Sequence, residues 1–210
     1  MARPTVPRID RAEVVATALA IIDRDGLDGF NLRKIGRELD VNPASLYHHF
    51  RDKDAILHGV RMLVIDESHL TDAARPDESW QDHLRRLTIR YRRALLRHPN
   101  AVPLMAPDIL LRPFSLSLRD HLAETLLTKG VPRHLVLALI DHVEGLVYAS
   151  ALLNPGCLAP RARLPVRPSD DVPSLARAIA GAPRSAERLF ALELDATIAG
   201  WSVLVDEATR

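Results

Sequence analysis

Small and hydrogen-bonding side chains with a regular spacing are concentrated between Asn31 and Lys53. In the middle of this segment, Pro43, Ala44 and Ser45 are small enough to let the backbone approach another molecule closely. In a DNA groove, proline and alanine can contact the methyl group of thymine, and a serine hydroxyl can hydrogen-bond to a base edge. The triplet therefore indicates a surface that could read DNA bases.

The flanking side chains could hold the DNA backbone. Tyr47, His48 and His49 offer rigid side chains with polar tips. Lys53 stands where a helix is predicted to begin, so its ammonium group and nearby amide groups could meet a phosphate. Arg33 could reach a phosphate or a guanine edge. Alternatively, Tyr47 is a core aromatic residue and the two histidines form a solvated surface.

Positioning these side chains requires two short helices joined by a tight turn. Asn31 is predicted to cap a helix over residues 32–39, and after a turn at residues 40–42 a second helix runs from Pro43 to His49. Helix–turn–helix DNA readers are built this way, so that the second helix enters the major groove. The alternative is a helical hairpin that only packs. Basic and acidic side chains are equal in number over the first 60 residues, so DNA binding would depend on their placement.

The rest of the chain is also predicted to be helical. Hydrophobic residues make up 47% of the 210 residues and aromatic residues only 4%, which favours helices over a β-sandwich or barrel. The predicted fold class is all-α, with about nine or ten helices. Besides the two short helices, the predicted helices cover residues 11–25, 53–71, 80–98, 104–111, 113–129, 132–153 and 185–206. The proline-rich residues 154–184 are predicted to be a loop with one helical turn at 174–180.

Several classes of function are disfavoured by the sequence. The single cysteine, Cys157, excludes an internal disulfide and any metal site built from cysteines. Glycine-rich phosphate loops, a His-Glu-x-x-His pair and a Gly-x-Ser-x-Gly elbow are missing from the sequence. No apolar run approaches the roughly 18 residues needed to span a bilayer. We therefore expect a cytoplasmic protein that is not an enzyme, that needs no metal or cofactor and that has no membrane partner.

Three blocks within Gly26–Val60 carry a resemblance, namely Asn31–Ile35, Pro43–Phe50 and Lys53. They resemble the DNA-binding domain of the tetracycline-repressor (TetR) family. The resemblance implies a three-helix helix–turn–helix domain over residues 1–54 and a larger helical effector-binding and dimerisation domain over residues 55–210. By this resemblance, the residues that face bases would be Arg33, Pro43, Ala44 and Ser45, and those that hold phosphates would be Tyr47, His49 and Lys53. His48 stands where tetracycline repressors carry a tryptophan.

A dimer interface is predicted in the second domain. The helix Pro132–Leu153 and the segment Leu189–Val205 are apolar on more than one face, as expected for helices buried on two sides. In the family that the chain resembles, these two helices of each subunit pack into a four-helix interface. The alternative is a monomer in which both helices belong to one core.

The resemblance also implies an effector site in the second domain. His69 falls where tetracycline repressors keep a drug-binding histidine, Leu87 replaces their ligand-binding asparagine, and Met105 replaces their magnesium-binding histidine. We therefore predict a more apolar effector and no obligatory magnesium. The predicted effector-binding residues are His69, Leu87, Tyr91, Leu104, Met105, Leu126, Glu144 and Tyr148. Asp141 and Glu144, three residues apart in an apolar helix, could serve a ligand or pair with an arginine.

The predicted function is a repressor that binds a palindromic double-stranded DNA operator as a homodimer and is released by a small-molecule effector. The alternatives are a DNA binder without an effector and an enzyme that uses an apolar cavity. A run of arginines between His83 and His98 is predicted to be a solvated helix face, with pairing to the DNA-binding domain as the alternative.

Overall fold

The computed structural model describes residues 10–105, 113–152 and 171–210, and over these ranges every regular element is a helix. The α-helices are α1 (Arg11–Asp25), α2 (Leu32–Glu38), α3 (Lys53–Ser68), α4 (Trp80–Arg97), α5 (Val102–Met105), α6 (Pro113–Thr128), α7 (Arg133–Leu152), α8 (Pro173–Gly181) and α9 (Ala186–Ala208). Pro43–His48 and Pro99–Ala101 are 3₁₀ helices, and the first of these is called the 43–48 helix below. The all-α prediction is confirmed.

The helix boundaries follow local signals closely. The predicted α1 is confirmed at both ends, with the Asp10 carboxylate accepting a hydrogen bond from the Ala12 amide and Gly26 at positive φ after the last turn. α3 ends before the predicted Thr71, because His69 adopts a left-handed φ of 53°. α8 is two and a half turns long, where the sequence predicted one turn. The predicted helix 104–111 and loop 154–184 lie partly outside the described residues.

The main core runs through both predicted domains. Buried side chains from α1, such as Val14 and Ile22, belong to one apolar cluster that continues through α3 and α4 to Leu194 and Ile198 of α9. A second cluster, centred on Leu126 and Leu139, packs α6 and α7 against the start of α4. α3 passes through the predicted boundary at residues 54–55 and packs against both α1 and α4. It is therefore the element that joins the two predicted domains.

α7 is long and apolar enough, by length and composition alone, to cross a membrane. The prediction that no such run exists was therefore wrong. In the structure, however, α7 packs against α4, α6 and α9 and buries Val136, Leu139, Ile140 and Val143. A helix at the centre of a water-soluble bundle passes the same test.

Candidate nucleic-acid interface and ligand cavity

A tight turn holds the 43–48 helix against α2. The side chain of Asn31 caps α2 by accepting from the Lys34 amide, and Asn42 caps the 43–48 helix by accepting from the Ala44 amide. Between them, Asp40 takes a left-handed φ of 52°. Gly36 allows the turn to fold back, because a Cβ there would lie 2.8 Å from both the Pro43 Cγ and the Val41 carbonyl oxygen. The predicted helix–turn–helix is confirmed, with a 3₁₀ rather than an α-helical second element.

The 43–48 helix presents a mostly polar outer face and one apolar anchor. Leu46 is buried in the core of α1 and α3, and Phe50 follows it inward. Ala44 and His48 are exposed, and Tyr47 is 58% exposed, so the alternative that Tyr47 is a core residue was wrong. Pro43, Ser45 and His49 are half-buried at the edges of the same face. The side chains predicted to meet DNA therefore share one surface of the domain.

The two predicted cations occupy different settings. Arg33 is exposed on α2. Lys53 is exposed at the first turn of α3, but its Nζ donates a hydrogen bond of 3.3 Å to the Phe30 carbonyl and lies 5.0 Å from the centre of the Phe30 ring. These contacts hold the ammonium group beside the helix N-terminus that Asp52 caps. A phosphate at this point would meet a positioned cation.

Arg11 is a positioning residue that the sequence did not reveal. Its guanidinium donates to the His49 carbonyl oxygen and lies 4.4 Å from the centre of the Phe50 ring. It thus ties the start of α1 to the end of the 43–48 helix. No local pattern could have indicated this contact, because its partners lie 38 residues apart.

Acidic residues of the N-terminal domain are paired on the far end of α1. Asp25 bonds to Arg24 and, at 2.7 Å, to Lys34, and Arg24 also bonds to Glu38 at 2.8 Å. These hydrogen bonds lower the pKa of Asp25 well below its usual range. The pairing consumes two cations together with two carboxylates, so DNA binding by the 43–48 surface still depends on where the remaining charges lie.

A small apolar cavity of about 70 Å³ lies among α4, α6 and α7. Five of the predicted effector-binding residues line it, namely Leu87, Tyr91, Met105, Glu144 and Tyr148. The hydroxyl groups of Tyr91 and Tyr148 hydrogen-bond to each other, and the two rings meet edge to face with centres 5.8 Å apart. Burial raises the pKa of Tyr91 well above its usual value, so this phenol stays neutral at physiological pH.

The structure does not bring three predicted residues to the cavity wall. His69 terminates α3, and its neighbour Leu70 lines the cavity instead. Leu104 points into the main core, and Leu126 is fully buried in the second cluster beside Val131 and Val136. These three residues do not line the cavity, and their assignment to the effector site stays a prediction.

Arg119 of α6 is the cavity residue that sequence reasoning missed. It bonds to Asp141 at 2.8 Å and to Glu144 at 2.5 Å, which confirms that the two carboxylates of α7 pair with an arginine. Burial nevertheless raises the pKa of Glu144, although Arg119 acts in the opposite direction. The described residues contain no group of three or more histidine, cysteine, aspartate or glutamate side chains arranged to hold a metal ion.

Arginines of α4 form ion pairs with other parts of the chain. Arg85 pairs with Asp195 of α9, Arg86 with Glu78, and Arg97 with Glu67 of α3. The predicted solvated face is confirmed for Arg85 and Arg97, which remain 36% and 52% exposed, but not for Arg86, which is 16% exposed. Carboxylates on separate elements supply the partners, which the sequence run does not indicate.

The end of α4 contacts the N-terminal domain directly. The Nδ1 atom of His98 lies 2.8 Å from the Asp23 carboxylate of α1. Its Nε2 atom lies 3.1 Å from the Glu67 carboxylate of α3. The Asn100 side chain donates a 2.7 Å hydrogen bond to the Asp23 carbonyl oxygen. Since Leu87 and Tyr91 of α4 line the cavity, one helix connects the cavity wall to α1.

α7 and α9 leave an apolar face uncovered within the chain. α9 buries Phe190, Leu194 and Ile198 but leaves Leu192, Val203 and Leu204 exposed. On the neighbouring helix α7, Leu137 is exposed as well. A Cβ at Gly145 of α7 or Gly200 of α9 would meet only open space. Among the described residues, the prediction of a second apolar face is confirmed for α9, whereas the exposed Leu137 of α7 lines the groove beside α6.

Known proteins share this architecture. Residues 14–60 match the family described as bacterial regulatory proteins, tetR family. The chain is 32% identical over 91 residues to the class E tetracycline repressor protein of Escherichia coli, an alignment that covers 43% of each protein. It is 31% identical over 146 residues to an HTH-type transcriptional regulator of Saccharopolyspora erythraea, which covers 70% of this chain and 61% of that one. The chain therefore spans less than half of the tetracycline repressor that it matches.

The solved structure of apo ActR from Streptomyces coelicolor matches the whole fold. It has a TM-score of 0.78 at 25% identity, and the match covers 97% of this chain and 100% of that one. ActR has also been crystallised in complex with actinorhodin. Residues 14–60 of the chain therefore form a DNA-binding domain of the tetR family of bacterial regulatory proteins.

Proposed function

We propose that the chain is a transcriptional repressor that binds a palindromic DNA operator as a homodimer and is released by a small, largely apolar effector. The observation that carries this proposal is the exposed outer face of the 43–48 helix. Its one large apolar residue, Leu46, anchors the helix in the core, and the residues around it remain available to DNA. Arg33, Pro43, Ala44 and Ser45 contact bases, whereas Tyr47, His49 and Lys53 hold phosphates.

Dimerisation follows from the size of the reading surface and from the uncovered face of α7 and α9. One short recognition helix contacts only a few base pairs, so specific binding needs a second copy related by two-fold symmetry. Leu192, Val203 and Leu204 would be covered by the partner, and Gly145 and Gly200 permit its close approach. The recognition helices of the dimer would then lie about 34–36 Å apart, one turn of DNA.

The release mechanism uses α4 as the connecting element. The cavity of about 70 Å³ is smaller than ordinary small-molecule sites, so an effector must displace side chains as it binds. Movement of α4 would shift His98 and Asn100 against Asp23 and so change the separation of the two N-terminal domains. Since DNA and effector would favour different separations, each weakens the binding of the other by the same factor. The crystallised complex of ActR with actinorhodin supports a ligand-responsive second domain.

Selection of bound sequences from a random pool of double-stranded DNA tests the proposal. Wild-type protein should enrich two inverted half-sites, and Ala44→Glu should lose that enrichment because a carboxylate would face base edges and phosphates. Ala20→Glu, on the exposed side of α1, is the matched control and should keep it. An Ala44→Glu variant that still enriches the wild-type motif would refute the assignment of the 43–48 helix to the groove.

A further inference from the structure

The ion pair at the cavity wall is unbalanced. Two carboxylates, Asp141 and Glu144, share the single guanidinium of Arg119. Together the three side chains carry one net negative charge at neutral pH. Among the described residues that line the cavity, Arg119 is the only basic one. Of these three side chains, Arg119 and Glu144 line the cavity and Asp141 does not, so Asp141 can neutralise Arg119 from outside and leave the charge of Glu144 to a ligand.

The excess charge is concentrated on Glu144 rather than on Asp141. The Asp141 side chain is 51% exposed, whereas those of Glu144 and Arg119 are 21% and 16% exposed. Water can therefore solvate Asp141, while Glu144 depends on neighbouring groups. Burial and the nearby Asp141 charge raise the pKa of Glu144 even though Arg119 donates to it. Glu144 is thus a buried carboxylate with incomplete compensation.

The rest of the cavity suits an apolar body beside a cation. Leu84, Leu87, Val143 and Val147 supply apolar surface, and the rings of Tyr91 and Tyr148 can attract a positive charge over their faces. An anionic effector would need Arg119, and drawing it away would leave Glu144 buried beside a second negative charge. A cationic effector could bind Glu144 while Arg119 remains on Asp141. On the basis of the function proposed above, we infer that the effector is an organic cation with an apolar body, whose ammonium group binds Glu144.

Arg119 also marks a route to this site. Together with Ile140, it lines both the cavity and a more open groove of about 640 Å³ between α6 and α7. When Arg119 leaves Glu144 and keeps only the outer Asp141, the wall between the two spaces opens. The groove then supplies room for a ligand body that the cavity of about 70 Å³ cannot hold.

Three probes with one body and different head groups test the inference, namely phenylbutylamine, phenylbutanol and phenylbutyrate. Binding to the full chain is measured by calorimetry and by thermal shift. The amine should bind most tightly and the carboxylate most weakly. Glu144→Gln, which keeps the size of the side chain, should weaken amine binding about tenfold or more and leave alcohol binding within about twofold. Glu144→Asp should keep the preference for the amine, and Glu124→Gln, at an exposed site on α6, should change nothing.

Each contrary result has a separate meaning. Tighter binding of the carboxylate than of the amine would show that Arg119 recognises an anion, which overturns the inference and leaves an effector-responsive protein. Amine binding that is unchanged in Glu144→Gln overturns it as well. If no probe binds at millimolar concentration while the protein still binds its selected operator, the inference fails and the proposed DNA binding stands.

Discussion

Replacing Gly36 by alanine tests the claim that close packing in the turn fixes the position of the 43–48 helix. Two effects oppose each other in this variant. Alanine in a helix interior is favoured over glycine by about 1 kcal/mol. Against this, the new Cβ would lie 2.8 Å from the Pro43 Cγ and 2.8 Å from the Val41 carbonyl oxygen. Overpacking of this kind typically costs about 1–3 kcal/mol, so we expect a net destabilisation of up to about 2 kcal/mol.

The same substitution should affect DNA binding more than stability. Relief of the contact must move the turn, because the Val41 oxygen belongs to the backbone, and the turn carries the 43–48 helix. A displaced recognition helix loses base contacts worth about 1–3 kcal/mol each, so specific affinity should fall at least tenfold. Urea unfolding gives the stability change, and titration of the selected operator gives the affinity change.

A double-mutant cycle with Pro43→Ala separates this explanation from a general effect. Removing the proline ring takes away the contacts at Cγ and Cδ but leaves the contact with the Val41 oxygen. The destabilisation by Gly36→Ala should therefore become smaller by at least about 0.5 kcal/mol in that background. Equal or greater stability of Gly36→Ala, with unchanged operator affinity, would refute the reasoning.

Three other perturbations have defined outcomes. Lys53→Ala should weaken binding to all DNA sequences and lower the salt slope by about one unit in a titration over salt concentration, and an unchanged slope would mean that Lys53 touches no phosphate. Val203→Glu should convert the dimer to a monomer in sedimentation experiments, because it places a charge on the exposed apolar face of α9. A wild-type protein that is already monomeric would contradict the proposed interface. Hydrogen bonds from Arg86, the Arg75 amide and His83 lower the pKa of Glu78. The wild-type protein should therefore have a larger free energy of unfolding than Glu78→Gln above about pH 4.5, and this difference should shrink as the pH falls below that value. Unfolding measured at several pH values gives the difference. A difference that does not depend on pH would exclude this linkage.

The sequence by itself determined the helices and the face that we propose meets DNA. The capping hydrogen bonds of Asn31, Asn42 and Asp52 join residues that are two or three positions apart. The local sequence is therefore sufficient to predict them. The same holds for the small and polar residues that follow Pro43, whose types alone predicted a surface that could read DNA bases. Capping and amphipathic spacing involve residues within about one helical turn, which is why they can be read without a structure.

Only the tertiary structure decided which residues meet across the fold. Arg11 reaches the His49 carbonyl, Arg119 reaches Glu144, and His98 joins Asp23 to Glu67, although each partnership spans 25 residues or more. For the same reason the sequence did not indicate that Leu126 packs in the second cluster and not at the cavity wall, since a helix that is apolar on several sides does not indicate which side packs on which neighbour. The rotation and packing of whole helices fix these contacts, and that information is distributed over the entire core.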